Sequence, residues 1–208
     1  MNKKYLVMAV TAAAAATLLA GCGSSTDKQG GAADEQKTLV VGMEPTFPPF
    51  EFTDNGKYVG FDIDLANAIG EKTGMQVEVK SLGFDALIPA LRSGQIDMIA
   101  SGMDATPERQ KQVSFTEPYF QDGYSVVVRK DNDTIHGFDD LKGRTVGTQV
   151  GTKGVDLGTE AGATVKQYDA NSQGWMELQS NTCDAVIINT SVALYYRSEE
   201  RRVGKECR

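Results

Sequence analysis

The sequence of 208 residues predicts an α/β protein built as two lobes. Three observations carry that prediction. Apolar runs rich in β-branched residues alternate with segments of helical spacing, the pattern of a largely parallel sheet covered on both faces. The alternation restarts after Lys130 with a second, shorter series. Several of the apolar runs end in short polar loops, and ligands of open α/β sheets gather at the carboxyl ends of the strands.

The amino terminus stands apart from this pattern. Lys3 and Lys4 precede an uncharged, mostly apolar run from Tyr5 to Ala20 that ends in Leu19-Ala20-Gly21-Cys22. A positive start, a short apolar core and small residues before the cut mark a secretory signal over 1–21 rather than a spanning helix. The cysteine directly after Leu-Ala-Gly resembles a bacterial lipobox, which implies that Cys22 becomes the lipid-bearing first residue and anchors the chain to a membrane. Gly23 to Lys37 holds no Leu, Ile, Val or aromatic residue. It cannot bury enough apolar surface to order itself, so 22–37 is expected to be a flexible tether.

The folded part opens at Thr38, and 38–129 is expected to form lobe 1. Thr38 to Met43 reads as a strand, followed by a loop, Glu44 to Phe50, containing Pro45, Pro48 and Pro49. Three prolines exclude helix and limit pairing, so Phe47 and Phe50 are held on a stiff backbone. Asp54-Asn55-Gly56 between Phe50–Thr53 and Lys57–Gly60 signals a hairpin. The next helix has Asp62 placed to cap it, Phe61, Leu65 and Ile69 four apart, and Gly74 to stop it. Gln76 to Lys80 alternates as a strand. Phe84 to Arg92 reads as a second helix ended by Gly94, with Pro89 tolerable in its first turn. Strands at Ile96–Ala100 and Tyr124–Arg129 complete the lobe. Glu44, Phe84 and Asp104 each fall just after an apolar strand, which predicts that they line one cleft.

The loop after Ile96–Ala100 reads Ser-Gly-Met-Asp-Ala-Thr-Pro-Glu-Arg over Ser101 to Arg109. Thr106 suits a helix cap, Pro107 the first helical position and Glu108 the first turn. Arg109 adds a planar two-pronged donor beside outward-pointing N–H groups, a combination suited to a small carboxylate. The plainer reading is an ordinary helix opening with a solvated arginine.

Lobe 2 is expected over 130–196. It comprises a polar crossing at Asp131–Asp133, a turn at Phe138–Leu141, strands at Thr145–Thr148 and Thr164–Tyr168, a helix carrying Trp175, Met176 and Leu178, and a strand at Ala185–Ile188. Between the first two strands, Gly151-Thr152-Lys153-Gly154 is either an anion-binding turn or a plain βα turn, and is too short for a phosphate loop of Walker type.

Charge and composition exclude several functions. Over 22–196, Lys plus Arg falls from 21 to 14 and Asp plus Glu from 28 to 25, a formal charge of −11 that argues against nucleic acid as a partner. Cys183 is the one cysteine left in this span besides Cys22, so no internal disulfide framework is available. The single His136 lies in an Asp-rich loop and no metal-ligand spacing is present, so neither metal nor cofactor is expected. Arg197 to Arg208 is 8 of 12 charged and breaks sharply from Ser191–Tyr196. It resembles a translated sequencing adaptor, and 197–208 is expected to be a non-native tail.

Taken in order, Pro-Pro-Phe-Glu-Phe at 48–52, Gly-Phe-Asp-Ile-Asp-Leu at 60–65, Phe-Asp-Ala-Leu-Ile-Pro-Ala-Leu at 84–91, Ser-Gly-Met with Thr-Pro-Glu-Arg, Phe-Thr-Glu-Pro-Tyr at 115–119 and Asp-Ala-Val-Ile-Ile at 184–188 resemble family 3 solute-binding proteins of amino-acid ABC transporters. The likeness runs from Thr38 to Tyr196. It implies the two-lobed type II periplasmic binding protein fold and a monomer that holds an amino acid between its lobes for delivery to a membrane permease, with no chemistry done. It also implies roles. Arg109 clamps the α-carboxylate with N–H groups near Asp104 and Thr152 and the Thr152 hydroxyl; Gly102 offers its carbonyl to the α-ammonium; Phe47 and Phe84 pack on the side chain; Glu44 faces its far end. Ser101, Gln149 and Lys153 complete the expected set.

Two departures matter. Asn189 stands where the family usually has an aspartate for the α-ammonium, and Ser191 where proline is frequent, while Asp104 replaces a usual Ser or Thr and is expected to supply the missing charge from the opposite lobe. The chain also stops before the family's return to the first lobe, so it is expected to be incomplete at its C-terminus and not to bind or close in the ordinary way. Glu44 and Asp104 favour a basic or glutamine-like ligand. The alternatives are an enzyme on the same fold, acting as a dehydratase of cyclic acids, and a ligand-sensing lobe of a receptor.

Overall fold

The computed structural model describes residues 37–203. The signal segment, the tether, Cys22 and the last five residues of the expected tail lie outside the described residues.

Strand β1 (Thr38–Met43) is the centre of a parallel sheet, paired along its length with β5 (Gln76–Ser81) and, near its end, with β6 (Met98–Ile99). Both faces of β1 are covered, which is why its sequence is an unbroken apolar run. Val41 and Met43 meet Ile63 and Ala66 of α1 (Phe61–Thr73), while Val40 packs on the side of Leu87 and Ala90 of α2 (Leu87–Arg92). β6 is shorter than the expected Ile96–Ala100. The Asp97 carboxylate accepts the Val40 N–H at 2.9 Å, so a side chain replaces a backbone rung there.

Local signals hold where they are local. Asn55 and Gly56 adopt φ of 48° and 76°, as a type I′ turn requires, between β3 (Glu51–Asp54) and β4 (Lys57–Val59). Gly74 closes α1 in the left-handed conformation. A 3₁₀ turn, Phe84–Ala86, precedes α2, which leaves Pro89 in the first turn of that helix. The proline loop does pair: Thr46 and Phe47, whose N–H groups remain between Pro45 and Pro48, form β2 (Thr46–Phe47) against β3. Asp62 does not cap α1. Gly60 occupies that position, and Asp62 is the second helical residue, fully buried, with its carboxylate turned toward Gly102.

The second sheet has the order β7 (Tyr124–Val127), β10 (Ala185–Asn189), β8 (Thr145–Gln149), β9 (Thr164–Tyr168). Its last three strands are parallel, and β7 runs antiparallel to β10, from Val127 opposite Val186 to Tyr124 opposite Asn189. The sequence reading grouped Tyr124–Arg129 with the first lobe. Its hydrogen bonds and the burial of Val127 beside Val186 join it to the second sheet, which moves the division ahead of Tyr124. Helices α4 (Lys153–Glu160), α5 (Asn171–Gln179) and α6 (Thr190–Val203) flank this sheet, and α6 crosses the expected break at Arg197 as one helix. Phe50, from the loop before β3, packs into the cluster of Trp175, Leu178, Ile188 and Val192. The Phe52 and Tyr195 rings, 5.6 Å apart, add a second contact between the two halves. Among the described residues no helix is long and apolar enough to cross a membrane.

Helix α5 provides a direct test of burial against exposure. Leu178 is 0% exposed and Met176 60%. Leu178→Ala is expected to lower unfolding free energy by about 2–5 kcal/mol, and Met176→Ala to change it by no more than about 0.5 kcal/mol, both read from denaturant melts.

Candidate ligand-binding site

Because β1 and β6 are parallel neighbours, their carboxyl ends deliver Glu44 and Ser101 side by side. The Ser101 hydroxyl accepts the Glu44 N–H at 3.0 Å and donates to Glu51 Oε1 at 2.7 Å. Gly102 follows at φ +50°, and a Cβ there would lie 2.7 Å from the Phe47 ring. Both the backbone angle and the ring demand glycine.

Thr106 caps α3 (Pro107–Gln110) as its sequence promised, its oxygen accepting the Arg109 N–H at 3.3 Å. The short helix turns Arg109 back over its own loop. Arg109 Nη1 donates to the Asp104 carbonyl at 2.8 Å, Nη2 donates to the Gly151 carbonyl at 2.9 Å, and the guanidinium carbon lies 5.2 Å from the centre of the Phe84 ring. The Gly151 carbonyl belongs to the loop after β8, so Arg109 bridges the two halves. From the second sheet, β8 ends at Gln149 and β10 at Asn189, and the Thr152 hydroxyl donates to the Gln149 carbonyl at 2.8 Å.

Ten of the eleven residues expected at the site line one cavity of about 20 Å³: Glu44, Phe47, Phe84, Ser101, Gly102, Asp104, Arg109, Gln149, Thr152 and Asn189. The eleventh, Lys153, is exposed as the first residue of α4 and does not line it. That volume is about one water molecule's worth. Beside it, sharing Phe47, Gly102, Asp104 and Asn189, lies a space of about 500 Å³ that the loop from Phe115 to Asp122 also lines.

Several polar residues at the site were not anticipated. Tyr124 lines the cavity and its hydroxyl donates to Asp104 Oδ2 at 2.8 Å. Glu51 also lines it, and its signal in the sequence was a carboxylate set inside the apolar Phe-Glu-Phe strand. Thr46 and Asn171 carried no local signal. The Thr46 hydroxyl lies 2.8 Å from each Glu44 carboxylate oxygen, as donor, and accepts the Asn171 N–H at 3.3 Å; Asn171 Nδ2 donates to Gln149 Oε1 at 3.0 Å. Burial pushes the Glu44 carboxyl above its usual range, although hydrogen bonds from Thr46 and Gln149 oppose the shift. The Tyr124 hydroxyl is pushed up by burial and by the Asp104 charge. Chemically, one cavity lining offers a planar cation, three carboxyl groups, two amides and two phenyl rings besides Tyr124. Among the described residues no three His, Cys, Asp or Glu side chains are grouped to hold a metal ion.

Two α/β halves meeting strand end to strand end over such a polar cleft define a binding protein of the type II periplasmic fold. The chain belongs to the bacterial extracellular solute-binding proteins, family 3, whose model matches residues 39–182. It is 38% identical over 207 residues to the arginine-binding extracellular protein ArtP of Bacillus subtilis (strain 168), covering 97% of this chain and 79% of that protein. An ancestral arginine-binding protein solved with glutamine superposes with a TM-score of 0.78 at 48% identity, covering 83% of this chain and 78% of the other. The ancestral amino-acid-binding protein AncCDT-1, a precursor of cyclohexadienyl dehydratase, gives 0.76 at 37% identity, covering 82% and 76%.

The hydrogen bonds at Glu44 are testable. Thr46→Val removes a donor that favours the charged carboxylate, so the Glu44 pKa is expected to rise further, measured from its carboxyl carbon shift against pH.

Proposed function

We propose that this protein is an extracytoplasmic receptor that binds a basic or glutamine-like L-amino acid between its two halves and delivers it to an ABC permease as a monomer, held at the membrane by a lipid on Cys22. The observation that supports this most is the meeting of Arg109, Asp104 and Glu44 in one cleft. A guanidinium matches an α-carboxylate in two parallel hydrogen bonds. Asp104, beside Asn189, supplies the anion for the α-ammonium, and Glu44 is left for a cationic or amide side chain. Phe47 and Phe84 flank the stem between those ends. ArtP, named for arginine, and the ancestral arginine-binding protein, solved with glutamine, fit the same chemistry.

An amino acid needs more room than about 20 Å³, so it enters only as the halves move apart. The Arg109–Gly151 and Asn171–Thr46 bonds cross between them and have to exchange during that motion.

The test is a thermal-melt panel over L-amino acids, run on this chain and on a version completed to the length of the relatives. At a ligand concentration 100 times its dissociation constant the gain is about 2.7 kcal/mol, a melting shift of roughly 5–10 °C at this size. Arg109→Ala is expected to abolish the shift for every amino acid, and Glu44→Ala to change which one binds best. No shift from any amino acid in the completed version would defeat the reading.

Anchoring is tested separately. Cys22→Ala is expected to stop incorporation of labelled fatty acid and to release the protein from the membrane fraction; unchanged labelling would remove Cys22 from the account.

A further inference from the structure

Beneath the cleft loop lie two carboxyl groups to which the proposed recognition assigns no ligand contact, although Glu51 also lines the cavity. Glu51, at the start of β3, is 1% exposed, and Asp62, in the first turn of α1, is 0% exposed. Asp62 Oδ2 accepts the Gly102 N–H at 2.8 Å and the Tyr119 hydroxyl at 3.0 Å, and Glu51 Oε1 accepts the Ser101 hydroxyl at 2.7 Å. The remaining oxygens, Glu51 Oε2 and Asp62 Oδ1, are buried with no donor to satisfy them. The two groups thus hold adjacent residues of one loop, Ser101 and Gly102, and each acts electrostatically on the other.

Two buried carboxylates under one loop, each with an orphaned oxygen, are costly when both are charged. One proton between them removes a charge and gives one orphaned oxygen a bond to the other. We propose that Glu51 and Asp62 share one proton and act as positioning residues for the ligand cradle, fixing Gly102 and, through Ser101, Glu44. The path is continuous: Asp62 holds the Gly102 N–H, while Glu51 holds the Ser101 hydroxyl that in turn holds the Glu44 N–H. The pair thus anchors the backbone at Gly102 and at Glu44, from which the Gly102 carbonyl and the Glu44 side chain are presented.

The groups acting on the pair are Glu44 from the β1–β2 connection, Tyr119 from the loop before β7, the Ser101 hydroxyl and the Gly102 N–H. Burial is the largest cause holding both carboxyls above their ordinary range, and Glu51 is raised further by the Asp62 charge. Asp62 accepts two hydrogen bonds and Glu51 one, so the remaining charge is better held on Asp62 and the proton on Glu51. A carboxyl whose folded pKa is raised contributes stability that is fully present below its unfolded value, about 4.3 for glutamate, and is lost as pH rises through the folded value. The melting temperature is therefore expected to fall as pH rises above about 4.3, and Glu51→Gln, which keeps an acceptor for Ser101 and supplies a permanent donor to Asp62, to flatten that fall.

This inference rests on the proposed amino-acid site for its purpose, but its test needs no ligand. Infrared spectra of chain labelled with ¹³C-carboxyl glutamate are expected to show a protonated, buried carboxylic acid at neutral pH that Glu51→Gln removes. The Gly102 amide proton is expected to shift as that band titrates, and not in Glu51→Gln. A neutral-pH wild-type spectrum without the acid band would overturn the proposal even if the variant failed to fold. So would a Gly102 amide that ignores the titration. In the completed receptor, Glu51→Gln is expected to keep affinity within about threefold while Glu51→Ala loses at least tenfold; equal losses would reduce the pair to packing. If no amino acid binds but the shared proton is found, the ligand reading fails and the pair stands.

Discussion

The parallel pairing of β1 with β5 and β6 is the constraint from which the site follows. Parallel strands need a crossover between each pair, so all their carboxyl ends open on one edge of the sheet. Glu44, Phe84 and Ser101 leave that edge together because the strands before them point the same way. β8 and β10 impose the same order on Gln149 and Asn189 in the second sheet. Facing the two edges toward each other brings together residues more than a hundred positions apart, and the loops have only to supply the right side chains.

Three acidic side chains in and beneath the cleft are buried. Glu44, Glu51 and Asp62 all lose hydration, and each recovers part of that cost from donors placed by a neighbouring element: Thr46 and Gln149, Ser101, and Gly102 with Tyr119. In so dry an environment a positive group is selected strongly, because the effective dielectric is well below that of water. Arg109, the cation among the cavity residues, is held by two carbonyls and a ring rather than by a carboxylate, which leaves its charge available to an incoming anion.

The sequence disclosed those features that a few adjacent residues decide. Asn55-Gly56 sets its own turn, Thr106-Pro107 its own helix start and Gly74 its own stop, and each is found where expected. Glu44, Phe84, Asp104 and Arg109 were legible because strand-end position is itself a local reading; Gln149 and Asn189 came from resemblance. The misreadings depend on distant partners. Asp62 looks like a cap until Gly102, forty residues on, claims its carboxylate. Tyr124–Val127 belongs to whichever sheet offers an edge, and β10 is sixty residues away. Thr46 and Asn171, 125 residues apart, were invisible because their importance exists only once the halves meet.

The bridge from Arg109 to the Gly151 carbonyl has a kinetic meaning. While that bond holds, one guanidinium nitrogen is engaged and the two loops are tied, so a ligand enters through the fraction of receptors in which the bridge is broken. Observed affinity is then the intrinsic affinity scaled by that fraction. Weakening the bridge from its Gly151 side, with Arg109 left in place, would enlarge that fraction and tighten apparent binding, so the opening of the cleft is set at a carbonyl apart from the ligand's own partners.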